Sequence, residues 1–308
     1  MEMSLNHTLP TTFYLIGFSN LHYGRIPLFL CFLIIYLLTL VGNLLIIFVS
    51  WLDVHLHKPM YYFLMNLSII EVLYTTAVTP KLLQMLLGNS HHISLAACFT
   101  QMYFFCACGG TEGVLLALMA YDRYLAICRP LNYSKLMHSR VCQSLTITTW
   151  CIGFSASLLP TVSISSLPFC SALAIDHFFC DLFPVLRLSC MDTRLIEICI
   201  FVMTCIMAFG PFSWTLISYL FIIVAIMRMS SATSREKAFS TCASHLSVVS
   251  IYYVTAIIMY MGNGSQSLSK VLSIFYSMVT PLCNPFIYSL RNKDVRKALA
   301  DIWHGPKS

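Results

Sequence analysis

Residues 26–51 read IPLFLCFLIIYLLTLVGNLLIIFVSW, with no charged side chain among them. A helix needs roughly 20 apolar residues to cross a hydrocarbon core, and this stretch supplies them. A backbone in lipid must satisfy its own polar groups, so a spanning stretch of this kind reads as a helix. Six more follow, at about 59–87, 95–128, 140–159, 196–227, 237–261 and 270–290. The composition agrees: of 308 residues, 58% are hydrophobic and 10% charged, against about a quarter charged in a soluble domain. The alternating pattern of a membrane barrel is absent. The expected fold class is an all-α membrane protein, a bundle of seven transmembrane helices in a single domain over 1–308.

The net charge of +6 is not a nucleic-acid footprint, because the basic residues cluster between the apolar runs. Thirteen of the 18 Lys and Arg residues, Lys58, Arg123 and Arg228 among them, fall on one set of loops and ends. Basic residues favour the cytoplasmic side. The N-terminus (1–25) is thus expected outside and the tail (291–308) inside. No cleavable signal peptide is expected within Met1–Asn20, and Asn6-His7-Thr8 forms a glycosylation sequon at Asn6. Beyond the seventh span, Val295, Leu299 and Ile302 share one face of an amphipathic helix near 292–303, suited to the membrane surface. Four cysteines, Cys98, Cys170, Cys180 and Cys190, lie on the oxidising outer side. They allow three pairings, among which spacing does not choose.

Motifs fall in a fixed order along the spans. Gly42-Asn43 lies in the first and Leu56-His57-Lys58-Pro59-Met60-Tyr61 opens the second. The third closes on Met119-Ala120-Tyr121-Asp122-Arg123-Tyr124-Leu125-Ala126-Ile127-Cys128, and the fifth holds Ser218-Tyr219. The sixth opens on Lys237-Ala238-Phe239-Ser240-Thr241-Cys242-Ala243-Ser244-His245-Leu246. The seventh ends in Pro281-Leu282-Cys283-Asn284-Pro285-Phe286-Ile287-Tyr288. Together these resemble the vertebrate olfactory receptors of the tetrapod type, within the rhodopsin-like G-protein-coupled superfamily, over nearly the whole chain. Val254 departs from the family, which usually carries Gly there.

The resemblance implies a receptor for small volatile molecules that activates a stimulatory heterotrimeric G protein and raises cyclic AMP. It implies disulfides Cys98–Cys180 and Cys170–Cys190, which would fold the long outer loop over the ligand and bring Asp181 and Leu182 near it. It also implies an inner switch, in which Asp122 holds Arg123 at rest and Tyr124, Tyr219, His245, Asn284, Pro285 and Tyr288 take part in release and coupling.

Helical spacing sets out a candidate pocket wall in the outer half of the bundle. The third span offers Phe105, Cys106, Gly109, Gly110 and Gly113, and the fifth Met203, Thr204 and Met207. The sixth offers Tyr253, Ala256, Ile257 and Tyr260, and the seventh Ile274 and Ser277. Such a wall is apolar with a few hydroxyls and sulfurs, which suits a small neutral organic molecule. Thr204 and Tyr260 would donate hydrogen bonds to it, and no carboxylate is placed for an amine.

Glu71 and Glu112 lie at similar depth, roughly 18 and 16 Å from the inner side at the helical rise, with Asn43 and Asn284 near that level. Two carboxylates in low dielectric need a proton, donors or a cation. Sodium as a modulator of the resting state is one expectation, and a protonated structural network is the other. No other cofactor is expected. A channel or transporter using the Glu71/Glu112 pair is the rival function, weakened by the odd number of spans and the lack of an internal repeat. No nucleophile–base motif suggests an enzyme. The expected partners are an odorant, a stimulatory G protein and membrane lipids, without nucleic acid.

Overall fold

The computed structural model describes residues 11–18, 24–88, 90–170, 173–261, 266–291 and 295–298. Long helices α1 (Arg25–Leu52), α2 (Pro59–Leu86) and α3 (Leu95–Cys128) come first. A short α4 (Pro130–Leu136) precedes α5 (Ser139–Ser165), and a one-turn α6 (Leu182–Leu186) precedes α7 (Arg194–Met227) and α8 (Ala232–Met261). The last rod is composite: α9 (Gln266–Ile274), a π-helical turn (Phe275–Val279) and α10 (Thr280–Arg291). Five of the helices and residues 242–259 of α8 are each long and apolar enough to cross a membrane. The composite rod is the seventh of the bundle. α5 runs to Ser165, past the expected end at 159, α8 begins at Ala232, before 237, and the seventh rod begins at Gln266, before 270.

Local chemistry explains the boundaries. Pro59 and Pro130 begin α2 and α4, where a missing N–H costs nothing. The Ser94 hydroxyl caps α3 by accepting from Ala97 N at 3.2 Å. Within the bilayer, hydroxyls are satisfied by the turn before them, as in Thr39 to Ile35 O (2.8 Å) and Thr111 to Ala107 O (2.7 Å).

The helices bury themselves unequally. α3 carries buried residues from Cys98 to Leu125 and packs on α2, α5 and α7. α1 presents Ile34 and Val41 outward, each 56% exposed, because lipid is as apolar as the core. Polar ties cross the seams: Asn43 Nδ2 donates to Pro281 O (3.3 Å), and Trp150 Nε1 donates to Asn66 Oδ1 (3.2 Å).

Above the bundle sits a layer that hydropathy does not announce. Strand β1 (Thr12–Leu15) lies between β2 (His92–Ser94) and β3 (Ala174–Ile175). It pairs antiparallel with β2, Phe13 opposite Ile93, and parallel with β3, Leu15 opposite Ile175. The inner face of this sheet, Phe13, Leu15 and Ile175, is fully buried. In the tail, residues 295–298 are helical, with Val295 and Ala298 buried. Leu299 and Ile302 lie outside the described residues.

Candidate functional site

The outer half of the bundle holds a partly open cavity. Ten of the expected wall residues line it: Phe105, Cys106, Gly109, Gly110, Leu182, Met203, Thr204, Met207, Tyr253 and Ala256. α5 adds Ala156, Ser157 and Pro160, α7 adds Ile200 and Ala208, and Tyr252 and Tyr276 complete the floor.

Several expectations need correction. Gly113 sits behind the tyrosines, where an added Cβ would lie 3.0 Å from the Tyr252 hydroxyl. Ile257 packs half-buried against the core instead of lining the cavity. Ile274 and Ser277 were placed by α-helical spacing, but the π turn shifts the phase and presents Tyr276. The Ser277 hydroxyl is spent on Ser273 O at 2.6 Å. Asp181 does not line the cavity: its Oδ1 accepts from Leu182 N (2.8 Å) and caps α6. The side chain of Tyr260 lies outside the described residues, as do that of Tyr288 and the whole of Asn6. Val254 points outward, 53% exposed, so a larger residue than Gly meets no helix there.

The floor is a chain of hydroxyls. Tyr276 donates to the Tyr252 oxygen (3.2 Å), Tyr252 to Gly109 O (2.6 Å), and Tyr253 to Gly113 O (2.8 Å). Gly109 is required by this arrangement, because a Cβ there would lie 2.7 Å from the Tyr276 oxygen. Ser157 donates to Gly153 O (2.9 Å). Among the described lining residues, Thr204 is the hydroxyl whose proton has no protein acceptor.

A tight lid closes the top. Cys98–Cys180 and Cys170–Cys190 are both bonded, with Cα atoms 5.4 and 5.6 Å apart. Gln101 receives Cys180 N at 2.9 Å and donates to Ala77 O at 2.9 Å. Phe178 stacks on Phe18, and Phe179 packs tilted against Phe105. Lys270 reaches the Asp176 carboxylate at 2.5 Å and Gly17 O at 3.1 Å, so one ammonium joins α9, the loop and the N-terminal segment. Within the lid, burial and the nearby Lys270 charge depress His177 to about 3. Burial also raises Asp181 to about 6, opposed by its bond from Leu182 N.

At the inner end, Arg123 Nη2 contacts Asp122 Oδ2 at 3.0 Å. Tyr133 of α4 donates to Asp122 Oδ1 at 2.8 Å. Its phenol is held above the usual range by burial and by that carboxylate. The sequence reading missed Tyr133, whose position on a short loop helix carries no periodic signal. Tyr219 and His245 are hydrogen-bonded at 2.7 Å, linking α7 to α8. Tyr124 packs half-buried against Tyr121 and Phe221. Pro285 abuts Gly42, where a Cβ would come within 3.0 Å.

Between the two ends, Asn284 Nδ2 donates to Glu71 Oε1. Glu112 lies within electrostatic reach of Glu71. Four buried oxygens here have no hydrogen-bond partner: Asn43 Oδ1, Glu71 Oε2, Glu112 Oε1 and Asn284 Oδ1.

Comparison with known proteins agrees with this architecture. A family model described as "Olfactory receptor" matches residues 31–304. Human Olfactory receptor 11L1 is 47% identical, over 96% of this chain and 93% of its own. Human Olfactory receptor 10A7 is 46% identical over 96% and 94%. Mouse Olfactory receptor 6Z7 is 46% identical over 99% of both chains. The crystal structure of squid rhodopsin superposes with a TM-score of 0.69 at 18% identity, covering 88% of this chain and 82% of its own, and so shares the fold. The chain belongs to the olfactory receptor family, as a multi-pass membrane receptor with the seven-helix rhodopsin-like fold and not an enzyme.

Proposed function

We propose that the outer cavity binds small, neutral, volatile molecules carrying one hydrogen-bond acceptor, and that binding activates a stimulatory G protein and raises cyclic AMP. The observation that carries this is the accounting of hydroxyl protons at the floor and walls. Tyr252, Tyr253, Tyr276 and Ser157 already donate to protein oxygens. Thr204 alone among the described lining hydroxyls keeps a proton for a ligand carbonyl or hydroxyl. The remaining wall is apolar, so discrimination among ligands rests on shape. Asp181 is turned away to its cap, which leaves no carboxylate for an amine.

Ligand and G protein would not touch. Phe105 and Asp122 are 17 residues apart on α3, roughly 26 Å at the helical rise. Coupling would run through a two-state bundle whose inner lock opens. The same reading puts the N-terminus outside, with Asn6 glycosylated, and the tail helix on the inner leaflet lipids. Cyclic AMP measured in cells against a panel of alcohols, ketones, esters and hydrocarbons tests it. Responses confined to charged amines, or none that Arg123→Ala abolishes at equal surface expression, would refute it.

Sodium fits the polar middle. Two carboxylates and two amides each keep one buried oxygen without a partner, and hard oxygens are the donor type that such a cation takes. Glu71, Glu112, Asn43 and Asn284 would hold it and favour the resting state. Agonist potency should fall with added sodium in the wild type and not in Glu112→Gln; identical curves would remove the ion from the scheme. No observation favours the channel reading.

A further inference from the structure

We propose that the cavity opens sideways to lipid between α5 and α7, so that ligands reach it from the bilayer instead of from the water above the lid. This rests on the reading of the cavity as the ligand site, but its test needs no odorant.

The accessible surface of the cavity is confined to one side. Phe105, Tyr252, Tyr253 and Tyr276 line it and are only 1–5% exposed. The cavity itself therefore gives a lining side chain almost no accessible surface. Yet Ala156 on α5, and Met203, Thr204, Met207 and Ala208 on α7, line the same space and are only half-buried. The split runs through α3 as well: Phe105 and Gly109 are buried, whereas Cys106 and Gly110, turned toward the α5–α7 seam, are half-buried. Gly110 marks the seam, since its Cβ would meet Met207 of α7 and Gly153 of α5.

Helix packing gives the reason. From residue 201 to 214, nearly four turns, α7 has no buried residue, although Met203, Met207 and Phe212 face the bundle. α5 and α7 touch sparingly, while each packs broadly on α3. Above, the described lid residues close over the cavity. Phe178, Phe179 and Cys180 have no exposed surface and Leu182 has 5%. The outer gap lies in lipid, so its occupant is a small uncharged molecule dissolved in the membrane. Met203 and Met207, unbranched and flexible, can swing aside to admit it.

The test uses the full chain in lipid nanodiscs and the neutral, lipid-soluble photolabel 3-trifluoromethyl-3-phenyldiazirine. Carbene adducts are read by peptide mass spectrometry at Met207 and, as a lipid-facing reference, at Ile217, 50% exposed. Met207 should label within about threefold of Ile217. Labelling should persist when Tyr14→Cys and His92→Cys, partners in the sheet register, are oxidised to lock the lid. After rapid mixing, Ala208→Phe should slow the rise of Met207 labelling at least fivefold. The inference is overturned if Met207 stays unlabelled while Ile217 reacts, if locking the lid abolishes labelling, or if Ala208→Phe leaves the rise unchanged. Should Ala208→Phe not fold, the wild type and the locked lid decide. A positive result with a silent odorant screen would keep the opening and reject only the odorant reading.

Discussion

A single phenol does more at the inner end than the charged pair beside it suggests. Asp122 is 1% exposed in its side chain, so each bond it receives counts. Arg123 supplies one and Tyr133 the other. Tyr133→Phe removes one bond from a buried carboxylate, about 1–2 kcal/mol. The resting state should weaken, and basal cyclic AMP should rise several-fold at unchanged surface expression. Unaltered basal signalling would show that Arg123 holds the lock alone. Tyr252→Phe tests the outer end, since it leaves Gly109 O without its donor at a cost of about 1–3 kcal/mol. Thermal stability should fall by several degrees, whereas an unchanged melting point would mean that water replaces the hydroxyl. The lock's motif was legible in the sequence, because Asp122-Arg123-Tyr124 stands at the end of a long apolar run. Tyr133 was not, because a seven-residue loop helix has too few turns to show a period.

At the scale of elements, the lid contains two buried groups that titrate in opposite senses. His177 is depressed, so its contribution is complete above pH 6.5 and is lost as pH falls toward about 3. Asp181 is raised, so its contribution is complete below about pH 3.8 and is lost as pH rises through about 6. Between pH 7 and 5 acid therefore weakens the lid through His177 and strengthens it through Asp181, each by about 1–2 kcal/mol. Near-cancellation is expected in the wild type. Asp181→Asn should lose stability on acidification over that interval, and His177→Asn should gain it, followed by melting in detergent at several pH values. Matching slopes in both variants would contradict the assignment. This layer was hidden from hydropathy because its strands are two to four residues long and pair across 78 or more positions, as Tyr14 with His92 does. The seven spans were visible for the converse reason: each carries its own signal without needing a partner. Where an element departs from α geometry, the reading failed, as when Ile274 and Ser277 were expected in place of Tyr276.

For the whole molecule, the two ends are separate machines joined by α3. Thr204→Val should shift agonist potency about five- to tenfold for acceptor-bearing ligands and leave maximal response intact. Arg123→Ala should do the reverse, keeping ligand affinity within a few-fold while abolishing cyclic AMP. Dose–response curves and surface staining read both. If Thr204→Val lowered the ceiling without moving the midpoint, the cavity would not be the place where ligand is sensed.

The π turn at Phe275–Val279 stores slack in the seventh rod. Such a turn holds one residue more than an α-helix needs, so removing one restores regular winding without rotating what lies above or below. Excising a residue from this turn should therefore spare surface delivery. The same excision within Gln266–Ile274 would swing the outer end through about 100° and pull Lys270 off Asp176. Tyr276 sits inside that surplus and also walls the cavity, so the one place where the rod has length to give is the place a ligand presses.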